Sequence, residues 1–181
     1  MNKIQVFYLV PFPSGIVDSN LKISVGICRQ NNCSLFVDYM AEHIENLAMP
    51  PISDKFSRKH ELWQETCFEF FLKFPNNSQY WEFNLSPSGD WNTYCFEDYR
   101  EGMKEEERLT RSSFFIITRA NKLSLNTTID LSAIASPEQV FEMAVSAVTK
   151  SKNGDIIYWA LTHPEQQADF HHPDSFTVTL D

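Results

Sequence analysis

This sequence contains little glycine and little positive charge. Only 5 of its 181 residues are glycine, and it contains neither of the glycine-based signatures of a phosphate-binding loop or a dinucleotide-binding turn. Lysine and arginine total 15 against 24 aspartate and glutamate residues, which gives a net charge of −9. Because such a surface repels nucleic acid and anionic lipid, we expect neither as a partner.

Long apolar runs are missing as well. No stretch approaches the ~20 apolar residues of a membrane helix, and the apolar start is interrupted by Pro11 and Pro13 without a small-residue cleavage site. We therefore expect no membrane span and a cytoplasmic location. The four cysteines fit free thiols. In a two-residue hairpin at 31–32, Gln30 would face Cys33, so Cys28 and Cys33 would not be opposed.

Aromatic residues are abundant, at 14% of the chain, and most of them lie in segments where apolar and polar residues alternate. Alternation with a period of two predicts strands. It occurs at 21–27, 35–39, 68–72, 81–85, 123–129, 141–147, 157–161 and 176–180. Turn residues separate these short runs, which is typical of antiparallel sandwiches. The sequence therefore predicts an all-β, antiparallel, jelly-roll-like β-sandwich formed by a single domain, 1–181.

Two segments depart from the alternating pattern. Residues 99–111 contain five consecutive charged residues and predict a solvated loop or a short helical turn. Ser136 and Pro137 are typical of a helix start. The following residues return to period two, so we predict a strand over 139–149 instead.

A candidate binding face lies in the segments 62–72 and 80–91. Alternation places Glu82, Asn84 and Ser86 on the same face as Tyr80, opposite an apolar face. Trp63 and Trp91 stand near the strand ends. This face therefore combines the two kinds of group that bind a sugar. Aromatic rings stack on the sugar ring, and carboxylate and amide groups form hydrogen bonds with its hydroxyls. The alternative is an outward polar face that only solvates the sheet.

Further candidates follow along the chain. Arg100 comes soon after Tyr94 and would bind vicinal hydroxyls or a carboxylate, or else act as a structural partner of a glutamate. The C-terminal histidines, His163 and His171, predict a loop that frames a pocket. A metal site formed by His163, Asp169 and one of His171 or His172 is the weaker interpretation, because adjacent histidines on an extended chain point in opposite directions.

An enzyme is not strongly indicated. Glu65 and Glu69 on one strand would lie ~13 Å apart, which exceeds either glycosidase geometry. Glu69 and Glu82 on neighbouring strands would approach to ~5 Å, so a carboxylate pair stays open. The sequence contains no nucleophile elbow.

The segments LWQETCFEFFL (62–72), YWEFNLSPSGDW (80–91), YCFEDYREGM (94–103), YWALTHP (158–164) and DFHHP (169–173) carry a resemblance to a known family. The chain resembles bacterial DOMON-like proteins related to type 9 carbohydrate-binding modules. Pro11-Phe12-Pro13 stands where that family has Pro-His-Pro, so one polar group of its pattern is absent. The resemblance covers most of the chain and implies a jelly-roll sandwich that binds a ligand without catalysis.

On matching positions, the resemblance implies a sugar-binding pocket with His163 and His171 at its rim. The pocket residues it implies are Trp63, Glu65, Glu69, Glu82, Asn84, Ser86, Trp91, Tyr94 and Arg100. Structural calcium is often found in such modules, so the resemblance leaves a structural calcium ion open, and no other cofactor is predicted from it. The predicted function is binding of a carbohydrate or sugar-like metabolite. The alternatives are a haem-binding or redox module with a His or Met ligand, a scaffold that binds a partner protein, and a sugar-acting enzyme.

Overall fold

The fold is known from a computed structural model, which describes residues 3–13, 20–30, 33–109 and 113–181. These residues form strands and three short 3₁₀ helices, at Ile44–Asn46, Leu62–Gln64 and Pro173–Ser175. The strands are β1 (Gln5–Tyr8), β2 (Val10–Pro11), β3 (Lys22–Gln30), β4 (Ser34–Glu42), β5 (Cys67–Lys73), β6 (Tyr80–Leu85), β7 (Trp91–Phe96), β8 (Lys104–Glu105), β9 (Ser113–Arg119), β10 (Lys122–Asp130), β11 (Phe141–Lys150), β12 (Ile156–Ala160) and β13 (Val178–Leu180).

The strands form two antiparallel sheets. The first has the order β1-β3-β4-β10-β9, and the second has the order β2-β12-β11-β5-β6-β7-β8, with β13 also paired to β11. The prediction of an all-β antiparallel sandwich is confirmed. In the described part of the chain, none of the helical segments has the length and apolar character needed to cross a membrane.

Alternation along the strands explains how the two sheets bury their shared core. Trp81, Phe83 and Leu85 project from one face of β6 into the main apolar cluster, which draws residues from both sheets. Phe70 on β5 stacks on Phe83 with ring centroids 4.4 Å apart. These side chains leave water almost completely, so this cluster supplies most of the hydrophobic stabilisation.

The second sheet is buried on its outer face as well. Every residue of β6 and β7 is buried, although an alternating strand normally leaves one face wet. A second aromatic cluster on the outer face includes Phe71, Tyr80 and Phe96, and Trp63 and Phe170 pack against it. Segments before β5 and after β12 therefore cover this face, and the candidate site lies between them and the sheet.

One local prediction needs correction and another is confirmed. Gln30 pairs with Ser34 and Cys28 pairs with Phe36, so the predicted partner of Gln30, Cys33, is wrong by one residue. The turn residues themselves, 31–32, lie outside the described residues. The strand predicted over 139–149 is confirmed as β11.

The segment 99–111, predicted as a solvated loop or a short helical turn, instead contains strand β8 and is anchored to the second sheet. Its residue Glu106 is buried and accepts a hydrogen bond from the indole N–H of Trp81 at 2.9 Å. Hydrogen bonds from Arg108 to the same carboxylate hold the pKa of Glu106 at about 2. The charged run therefore contains one carboxylate that the fold uses to fix the loop on the edge of the second sheet.

The turn between β6 and β7 depends on glycine. Gly89 has a φ of 94°, where a side chain is strained, and a Cβ there would overlap the ring of Phe56. Gly154 has a similar φ of 93°, but a Cβ there would meet nothing within 4 Å. A side chain would be strained at both glycines because of the positive φ, but only at Gly89 would it also overlap a neighbouring residue.

Candidate functional site

A cleft of about 600 Å³ opens on the outer face of the second sheet, within the size range of small-molecule sites. Its floor is formed by β5, β6 and β7, and its other side by residues 167–171, which follow β12. Polar groups from the floor and aromatic rings from the covering segments both face this space. We call it the sheet cleft.

His171 connects the covering segment to the floor. Its Nδ1 lies 2.7 Å from the hydroxyl of Tyr80, and that hydroxyl accepts a hydrogen bond from the backbone N–H of Arg100 at 3.2 Å. We assign the Tyr80 hydroxyl as the donor to Nδ1, which places the ring proton of His171 on Nε2. Burial, followed by the nearby Arg100, lowers the pKa of His171 to about 4, so the ring is neutral at pH 7.

Glu82 lies on the cleft floor, with Oε2 at 3.8 Å from Nε2 of His171. That separation is too long for a hydrogen bond, but a ligand hydroxyl between the two would accept from Nε2–H and donate to the carboxyl group. Burial raises the pKa of Glu82 to about 7 despite the hydrogen bond that its Oε1 accepts from Asn84 at 2.7 Å. Near neutral pH, Glu82 is therefore able to accept or donate.

Glu69 is the second carboxyl group on the floor. It pairs with Asn84 across β5 and β6, which makes Glu82 its diagonal neighbour on the same face. Burial raises its pKa well above the usual range, and the charge of Glu82 adds to the effect. Its Oε1 is buried without a hydrogen-bond partner. The carboxylate pair that the sequence left open is thus present as a diagonal pair.

Arg100 forms the charged rim of the cleft. Its Nη2 lies 2.7 Å from Oδ1 of Asp169, and the hydroxyl of Tyr99 donates to the other oxygen of that carboxylate. Oδ1 of Asp169 also accepts a hydrogen bond from the backbone N–H of His171 at 3.0 Å. One carboxylate therefore fixes both the rim arginine and the histidine of the cleft.

Aromatic rings form the walls. Trp63, in the 3₁₀ helix before β5, packs edge-on against Tyr94 with ring centroids 5.8 Å apart. On the other side, Tyr158 and Phe170 meet edge to face at 5.9 Å. Trp63 and Tyr158 are only partly buried, so their faces remain available to an apolar ring surface.

The structure brings five of the predicted site residues into the sheet cleft: Trp63, Glu69, Glu82, Arg100 and His171. Two more support it from behind. Asn84 is fully buried and orients Glu82, and Tyr94 packs under Trp63 while its hydroxyl lies 3.0 Å from the ring of His60.

The other four predicted residues lie elsewhere. Trp91 belongs to the main core, because it pairs with Leu85 and shares that residue's face. Glu65 binds Lys150 at 2.7 Å, and its side chain is largely exposed. His163 contacts the backbone oxygen of Val10 at 2.9 Å.

Ser86, the fourth, belongs to a separate depression beside Asp90, where it accepts a hydrogen bond from Ser88. Although burial acts to raise the pKa of Asp90, hydrogen bonds from Lys59 and neighbouring serines outweigh it and hold the value at about 2. This ion-paired network holds the 53–59 segment against the β6–β7 turn.

Several cleft residues were not predicted from the sequence: Phe96, Met103, Val148, Tyr158, Gln167, Ala168 and Phe170. Phe96 shares its strand face with Tyr94, so alternation alone would have found it. The residues after β12 come to the cleft only because the chain folds back over the sheet.

Within the described ranges, no group of three or more His, Cys, Asp or Glu side chains is arranged to hold a metal ion. The histidines considered as ligands in the sequence have other partners. His172, for example, lies 3.2 Å from Glu165.

Two solved structures share this fold. A "putative carbohydrate-binding protein" from Bacteroides uniformis matches 97% of this chain and 85% of its own with a TM-score of 0.70 at 15% identity. A family 9 carbohydrate-binding module from Caldicellulosiruptor kristjanssonii, solved with glucose, matches 92% of this chain and 76% of its own with a TM-score of 0.50 at 11% identity. At these identities the similarity establishes the fold, which is that of family 9 modules. No protein-family model and no curated protein matches the sequence.

Proposed function

We propose that this protein is a non-catalytic carbohydrate-binding domain that holds a sugar in the sheet cleft. The observation that carries the proposal is the pair formed by Glu82 and Nε2 of His171, 3.8 Å apart between aromatic walls. A hydroxyl oxygen to one side of the pair, about 2.8 Å from each atom, would bridge them as acceptor and donor at once. An apolar ligand would leave both groups without a hydrogen-bond partner.

The aromatic walls supply the second half of sugar recognition. A pyranose ring exposes a C–H face, and Trp63 offers a partly exposed aromatic surface against which that face would pack. Arg100 at the rim has donors in a fixed fork that suits neighbouring hydroxyls. The shared fold with a module solved in complex with glucose supports the same ligand class.

Calorimetric titration with a panel of mono- and disaccharides tests the proposal. We expect Glu82→Gln and Trp63→Ala each to weaken binding by about 10-fold or more, the effect of losing one charge-assisted hydrogen bond or one aromatic packing surface. The matched controls are Glu65→Gln, a carboxylate outside the cleft, and Phe115→Ala, an exposed ring on the other sheet. Both controls should keep the original affinity.

Two results would count against the proposal. If well-folded protein binds none of the sugars, carbohydrate binding is wrong. If a sugar binds but the cleft variants behave like the two controls, the site lies elsewhere on the molecule.

A further inference from the structure

The cleft floor has two neighbouring carboxyl groups, those of Glu69 and Glu82. Glu69 and Glu82 are diagonal neighbours on one face of β5 and β6, and each is at most 5% exposed. Oε1 of Glu69 is buried without a hydrogen-bond partner at normal distance, and the Cys67 thiol beside this carboxyl group is only a weak donor. A buried acceptor without a donor costs free energy, so its presence beside a second carboxyl group calls for a ligand that supplies donors to both.

The groups around this pair do not neutralise it. Arg100 is the one cation among the described residues that line the cleft, and Asp169 already pairs with it at 2.7 Å. His171 is neutral because its pKa lies at about 4. The remaining titratable neighbours are uncharged at neutral pH, since burial raises the pKa of each: Cys67, Tyr80 and Tyr94. The floor therefore carries uncompensated negative charge when either glutamate is ionised.

We propose that the sheet cleft selects an amino sugar, a hexosamine whose ammonium group lies between Glu69 and Glu82. This inference rests on the carbohydrate-binding function proposed above and names the ligand class of that same site. An ammonium group has three donors, enough to bind a carboxylate oxygen of Glu69 and one of Glu82 together, and both residues lie on the cleft floor. Hydroxyl groups would also donate hydrogen bonds there, but they carry no charge and would leave the ionised pair uncompensated.

The proposal predicts a preference between matched sugars. Titrations at pH 6 would compare glucosamine with glucose, galactosamine with galactose, and the glucosamine disaccharide with cellobiose. We expect at least one amino sugar to bind about 10- to 100-fold more tightly than its hydroxyl counterpart, the contribution of a hydrogen bond to a charged group. In Glu69→Gln that ratio should fall to about 1 to 3, whereas Glu65→Gln should keep it, because Glu65 pairs with Lys150 outside the cleft.

A second measurement on the unaltered protein guards against a variant that folds poorly. Ammonium binding favours the ionised form of both glutamates, so the proton held by the pair is released. The heat of binding for an amino sugar should therefore change between buffers of different ionisation enthalpy, and the heat for the neutral sugar should not.

Each outcome decides a different question. Equal affinity for the matched sugars, or a preference that survives in Glu69→Gln, overturns the amino-sugar inference and leaves carbohydrate binding intact. Failure of every sugar in the set to bind overturns both.

Discussion

Replacing Glu82 by glutamine should change how the stability of this protein depends on pH. Burial raises the pKa of Glu82 from 4.5 to about 7 in the folded state. Below pH 4.5 the side chain is protonated whether the chain is folded or not, so its contribution to stability is fully present. As the pH rises toward 7, the unfolded chain releases the proton first, and the free energy of unfolding falls.

The size of this effect follows from the shift. A rise from 4.5 to about 7 corresponds to about 3 kcal/mol at about 1.4 kcal/mol per pKa unit. The charge of Glu82 also raises the pKa of Glu69, so removing it relieves part of a second penalty in the same direction. Relative to the unaltered protein, Glu82→Gln should therefore gain about 3 kcal/mol between pH 4.5 and pH 8.

Urea unfolding followed by tryptophan fluorescence at pH 4.5, 6, 7 and 8 measures this difference. Glu65→Gln is the matched control, because its carboxylate is largely exposed and paired with Lys150, and its difference from the unaltered protein should not follow the same trend. A constant difference for Glu82→Gln across this pH range would refute the reasoning, since it would mean that Glu82 ionises as it does in water.

Three further predictions follow from the geometry. The ring protons of His171 should titrate in NMR with a midpoint at about pH 4, because burial lowers its pKa; a midpoint near 6.5 would show a solvated ring. Phe70→Ala should lose about 3–5 kcal/mol in urea unfolding, whereas Phe115→Ala, exposed on the other sheet, should stay within about 0.5 kcal/mol. Gly89→Ala should destabilise more than Gly154→Ala in the same assay, since the two share a positive φ and only the first meets a neighbouring ring; equal losses would contradict this.

The fold was predictable because alternation is a local property. Trp81, Phe83 and Leu85 reach the main core as their spacing requires, and the same rule applied to β7 would have placed Trp91 there. The predicted site includes Trp91 because it stands near a strand end and because the resemblance implies it. Its pairing with Leu85 shows that position within the strand decides which face a residue occupies.

The cleft was only partly predictable, because it depends on contacts between distant parts of the chain. Glu82 and Glu69 could be placed on one face from two adjacent strands. His171 lies beside these carboxyl groups because the chain folds back over the sheet after β12. Its partner Tyr80 is 91 residues away in the sequence, and the segment after β12 has no periodic pattern that predicts this contact. For the same reason, Phe170 and Gln167 could not be assigned to the cleft from the sequence.

Titration of the indole N–H signals in NMR tests the central claim most directly, because the chain has 4 tryptophans and the structure separates them. Trp63 lines the cleft, whereas Trp81, Trp91 and Trp159 belong to the main core. As a binding sugar is added, the signal of Trp63 should move progressively while the other three stay in place. Movement of a core signal with Trp63 unchanged would show that the sugar does not bind in the sheet cleft.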